Sequence, residues 1–131
     1  MYMLDTNICI YVLNQRSAKL RHKFKATKDL CISAITYAEL RFGIENGNAE
    51  LKRKRLQQLN LFTRLLHILP FTEQAGIDYG IIRAGLKQQG KMIGGNDMLI
   101  AAHAISTNAV LVTNNIKEFQ RIEELALENW V

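Results

Sequence analysis

Three carboxylates stand where short apolar runs give way to helical patterns. Asp5 closes "MYMLD", Glu39 lies in "ITYAEL" beyond "LCIS", and Asp97 follows "GGN" at the head of an Ala-rich stretch. Small oxygen and amide groups gather near them: Thr6 and Asn7, Ser33, then Thr113, Asn114 and Asn115 after "AVLV". Taken singly, each has an ordinary explanation. Asp5, Thr6 or Asn7 can cap a helix, Asp97 suits the positive end of a helix dipole, and Thr113 with the asparagines can form an Asx turn. Glu39 fits less easily, because apolar neighbours impose a desolvation cost on an unpaired carboxylate. Taken jointly, three acids sharing a crevice repel, and one takes up a proton unless a cation is present. Mg²⁺ would relieve that repulsion, since it takes oxygen ligands, keeps several waters and binds through one or two carboxylates. Such an ion activates water and offsets charge on phosphoryl oxygens, which is the chemistry of phosphodiester hydrolysis.

The acids meet only if the elements between them bring strand ends together. "MYML", "LCIS", "HILPF", "AVLVT" and the closing "LENWV" read as strands, the last a short one. Helical patterns separate them: "NICIYVLN", Ser17 to about Lys28, "AITYAELRFGIENG" stopping at Gly47, Ala49 to Leu66, Thr72 to Gly90, and "GGNDMLIAAHAISTN". Strand and helix alternation predicts an α/β domain, with a mainly parallel central sheet of about four to five strands flanked by helices. In such sheets ligands bind beyond the carboxyl ends of the strands, where all these polar groups fall. No linker or repeat divides the 131 residues, so a single domain, 1–131, is expected.

Composition narrows the setting. Apolar residues make up 48% and charged residues 22%, within the range of a chain that folds around a core. No apolar run approaches the ~18 residues of a membrane span, and Asp5 so near the start argues against a secretory signal. Cys9 and Cys31 have no metal-ligand spacing and read as buried thiols of a reducing cytoplasm. The net charge is +5, partly concentrated in Lys52, Arg53, Lys54 and Arg55. That run is either a solvated helix face or a surface for a polyanion such as RNA, and Lys91 is a weaker candidate of the same kind.

Other chemistries find less support. His22, His67 and His103 do not pair at catalytic spacing, which disfavours a metal-free acid–base ribonuclease. Ser33 sits in no nucleophile motif, and "GKMIGG" is not a phosphate loop. Tyr37 and Phe42 could stack on a base, but packing into the core is the expected fate of both.

The blocks "MLDTNICIYVL", "ISAITYAELRFG", "GGNDMLIAAHA", "LVTNNIKEF" and "ENW" together resemble a PIN-domain ribonuclease of the VapC type, the toxin of a type II toxin–antitoxin pair. The resemblance implies a Rossmann-like sheet, an Mg²⁺ or Mn²⁺ site and an endoribonuclease acting on structured RNA such as tRNA. It also implies a cognate VapB-type antitoxin and a homodimer in the cytoplasm. Asp5, Glu39 and Asp97 match the family's three main acids, and they would hold the metal with Thr6, Asn7, Ser33 and Thr113 in support. Asn115 falls where many PIN domains carry a fourth acid. It adds no charge, which favours one well-bound ion over two, and Glu118 three residues on could replace the missing charge. Two alternatives remain: a DNA-directed nuclease using the same acids, and a catalytically silent RNA- or partner-binding module.

Overall fold

Alternation within three short strands sets the architecture. The computed structural model describes residues 1–131. In it β1 (Tyr2–Leu4), β2 (Leu30–Ser33), β3 (His67–Leu69), β4 (Val110–Val112) and β5 (Leu127–Glu128) form one sheet of order β3-β2-β1-β4-β5. Every neighbouring pair is parallel. Successive strand side chains point to opposite faces, so Met3, Cys31 and Leu111 enter one core while Leu4, Leu30, Ile32 and Val112 enter another. Burial on both faces is why these segments read as continuous apolar runs. The two thiols are free and buried, Cys31 in the first core and Cys9 in the second.

Helices cover both faces. α1 (Thr6–Leu13), α2 (Ala18–Ala26), α3 (Ala34–Glu45) and α4 (Lys52–Thr63) enclose the core containing Leu20, Phe24, Leu59 and Phe62. α5 (Glu73–Gln88), α6 (Gly95–Ser106) and the single turn α7 (Ile116–Phe119) enclose the other, with Leu86, Met98, Ile100 and Phe119. Local chemistry marks the helix ends. Asp5, Ser17, Ser33 and Thr72 each accept a backbone N–H from the first turn of the following helix. Gly90 takes φ 66° just beyond α5, a left-handed turn that suits glycine.

Some expectations shift. The segment after Ala49 opens as a 3₁₀ turn over Ala49–Leu51 and its helix stops at Thr63; Leu51 stays 39% exposed instead of packing. Phe42 is 66% exposed, so only Tyr37 of the two aromatics packs against a core. Lys52 pairs with Glu45 at 2.6 Å, which makes that end of the basic run part of the helix surface.

The strand order matters most for function. From β1 the chain builds outward through β2 to β3, then returns to place β4 on the other side of β1. The order in which strands are added therefore reverses between β1 and β4, which remain parallel, and a crevice opens at such a switch point beyond the strand ends.

Candidate active site

Asp5 and Thr113 are the residues that follow the two strands at this switch point. Asp5 is 4% exposed and Thr113 fully buried. The Thr113 hydroxyl donates to Asp5 Oδ2 at 2.5 Å, a contact between residues 108 positions apart. Asp5 Oδ1 accepts the Ile8 N–H at 2.8 Å, and the Asp5 amide donates to the Val112 carbonyl at 3.0 Å. Helix capping and site formation are thus the same geometry, and the ordinary explanation of Asp5 is true as well as incomplete. Burial raises the Asp5 carboxyl above its usual range; the Thr113 hydroxyl and Ile8 amide oppose that, and the Glu39 charge adds to it.

Glu39 reaches the site from α3. Its Oε1 accepts the Thr6 hydroxyl at 2.5 Å and its Oε2 accepts Asn96 Nδ2 at 3.2 Å. Thr36, one turn before Glu39, places its hydroxyl 3.3 Å from that of Thr6. Asp97 stands in the first turn of α6 with its carboxyl pushed up to about 6. Burial is the largest cause, followed by the charges of Asp5, Glu118 and Glu39. Gly94 lies so close that a Cβ there would stand 3.3 Å from Asp97 Oδ2. The chain has two ion pairs, Met1 with Asp29 and Lys52 with Glu45, and neither involves these acids. Their negative charge has no cationic side chain against it.

The supporting residues divide. Thr6 and Thr113 hold carboxylates directly. Asn7 is exposed, and its backbone N–H, not its side chain, helps stabilise the Asp5 carboxylate. Ser33 faces elsewhere: its hydroxyl accepts the Ile35 N–H at 3.0 Å and lies 2.7 Å from His103 Nδ1. His103 is fully buried beside Phe71, and burial holds its pKa down. Its Nε2 has no partner in hydrogen-bonding geometry although the Pro70 carbonyl is near. Asn115 contributes its backbone N–H, which donates to Thr113 Oγ1 at 2.9 Å. Arg53, Lys54, Arg55 and Lys91 are exposed. Sequence reasoning missed Thr36 and Asn96, although i,i+3 spacing from Glu39 and adjacency to Asp97 were signals for them.

The donor set tests what the site would accept. All its groups are oxygen or amide, with no Cys or His among them, which suits a hard cation and not zinc. No three His, Cys, Asp and Glu side chains are placed closely enough to share one ion. Glu39, engaged by Thr6 and Asn96, still acts by its charge on both Asp5 and Asp97. Two carboxylates completed by waters fit the usual manner of Mg²⁺ binding.

The PIN domain family matches residues 2–125, and the chain belongs to that family, among its VapC-type ribonucleases. It is 43% identical to Ribonuclease VapC2 of Rickettsia felis, over 98% of this chain and 97% of that protein. It is 39% identical to the tRNA(fMet)-specific endonuclease VapC of Salmonella typhimurium, again over 98% and 97%. The crystal structure of VapBC2 from Rickettsia felis bound to a DNA fragment from its promoter superposes with a TM-score of 0.92 at 41% identity, covering 99% of this chain and 98% of that one.

Proposed function

We propose that this protein is a metal-dependent endoribonuclease that cuts structured RNA, tRNA first among them, as the toxin of a cytoplasmic VapBC-type pair. The observation that carries the reading is the uncompensated charge of Asp5 and Asp97 at the switch point. Mg²⁺ or Mn²⁺ held by these two acids would supply an activated water and neutralise charge on the scissile phosphate. The chain's own residues then have separate tasks. Thr113 fixes the Asp5 carboxylate, Thr6 and Asn96 orient Glu39 toward the same crevice, and the Asn115 amide fixes Thr113. Glu118 adds negative charge near Asp97, which partly replaces the acid that Asn115 lacks.

The activities and complexes of the relatives support the substrate and the partner. One is a tRNA(fMet)-specific endonuclease, and VapBC complexes are among the similar solved structures. We assign this chain a VapB-type antitoxin on that basis, and a homodimeric state from the exposed Ile77 and Ile81 of α5. The test is cleavage of total tRNA by the purified, partner-free protein in Mg²⁺ or Mn²⁺ and in EDTA, beside Asp97→Asn. Discrete fragments are expected only with metal and an intact Asp97, with the substitution costing about 10²–10³-fold, the scale for losing one electrostatic contact to a transition state. Equal cleavage by Asp97→Asn, or in EDTA, would refute the site. A DNA strand of matching sequence should stay intact.

A further inference from the structure

A second feature lies beside the carboxylates and has the opposite sign. Gly90, Lys91, Lys117, Gln120 and Arg121 line a groove of about 580 Å³ that has no apolar residue in its wall. Both sides of the groove are close in sequence to residues of the site. Lys91 begins the short segment that runs through Gly94 to Asp97, and Lys117 lies two residues beyond Asn115 on α7. The neighbouring α7 residue Glu118 is close enough to act on Asp97. Arg121 joins the two sides, its Nη1 donating to the Met92 carbonyl at 2.9 Å. None of the three cations is paired with a carboxylate.

We propose that Lys91 and Lys117, in the groove closed by Arg121, bind a backbone phosphate of the RNA next to the one being cut, and so position the strand over the acids. The proposal rests on the nuclease reading above. The groove offers ammonium and guanidinium donors without a flat apolar platform, so it suits a phosphate and not a stacked base. It also answers a difficulty of that reading: an acidic crevice repels a polyanion, and a cationic strip beside it draws the strand in at a fixed offset. Arg121 ties two segments together and is left unaltered in the test.

Binding of total tRNA is measured for Asp97→Asn in Mg²⁺ across a salt series. The same series is run with Lys91→Glu and Lys117→Glu added, and separately with Lys19→Glu and Lys25→Glu, two exposed α2 lysines that give the same change of net charge. The groove pair should weaken binding about tenfold and flatten the salt slope by about 1, as loss of one or two phosphate contacts requires. The α2 pair should leave the slope unchanged. With Asp97 intact, the groove pair should raise KM and leave kcat within about twofold, and Lys91→Arg with Lys117→Arg should restore KM. Equal slopes for the two pairs, in a protein that cuts tRNA, would overturn the groove and leave the nuclease standing. A wild-type protein that neither binds nor cuts RNA would overturn both.

Discussion

Asp97 shows what a single site residue costs the fold. Its carboxyl, ordinarily near 3.8, is raised to about 6, first by burial and then by the charges of Asp5, Glu118 and Glu39. Between those pH values the folded protein holds a proton that the unfolded chain has lost. The protonated carboxyl's contribution is therefore complete below about 3.8 and disappears as pH rises through about 6. A shift of this size would amount to roughly 3 kcal/mol in full, but Asp97 is only half-buried, and solvent screening leaves about 1 kcal/mol. Urea unfolding in EDTA should thus find Asp97→Asn more stable than wild type by about 1 kcal/mol above pH 7, with the two converging toward pH 4. A difference that does not change with pH would show that the repulsion is absent. At this scale the sequence was informative because an acid at a strand end is visible as a residue type. It did not reveal that Asp5 is fixed by Thr113 from 108 residues away, or that Ser33 turns toward His103 instead of the acids. Both facts depend on which side chains the fold brings face to face.

The segment before α6 decides where Asp97 points. Gly94 has φ −57° and ψ 146°, a conformation open to any residue, so its lack of a side chain matters for space and not for backbone freedom. A methyl group there would stand 3.3 Å from Asp97 Oδ2 and displace the carboxylate by a few tenths of an ångström. Gly94→Ala should therefore leave stability unchanged or improve it by up to about 1 kcal/mol through the unfolded state. It should lower kcat on tRNA by up to about tenfold, since roughly 1 Å of misplacement can cost 10²-fold. Thermal melts beside single-turnover cleavage separate the two effects, and a fall in both together would contradict the assignment. Elements of this kind were unequally legible. Long periodic helices such as α5 and α6 were read to within a few residues because their apolar spacing repeats over several turns. The 3₁₀ turn before α4 and the one-turn α7 were not, since neither is long enough to show a period. Phe42 stays exposed against expectation because periodicity ranks positions around a helix but does not say which face meets a neighbour.

The whole molecule presents two surfaces that should answer to salt in opposite directions. α5 packs on α6, its Ile82 and Leu86 sharing a core with Met98 and Ile100, while Ile77 and Ile81, one turn apart, remain 51% and 68% exposed. Gly76 and Gly80 lie beside them, where an added Cβ would meet nothing, so another helix could approach the backbone closely. Exposed apolar side chains grouped in this way mark interaction sites more often than isolated ones do, and a second copy of the chain is the proposed occupant. Apolar contact drives that association, and the net charge of +5 opposes it by self-repulsion. Salt screens the repulsion, so dimerisation should strengthen modestly as ionic strength rises. RNA binding at the cationic groove should weaken over the same range, because counterion release drives it. Sedimentation equilibrium of the antitoxin-free protein should find a dimer. Ile77→Lys with Ile81→Lys should sediment as a monomer, with a urea midpoint that no longer rises with protein concentration, since neither side chain is buried within the chain. A monomeric wild type would remove the dimer, and a dimeric variant would move the interface off α5. Dimerisation that weakened with salt would show that charge, and not the isoleucine face, holds the two copies together.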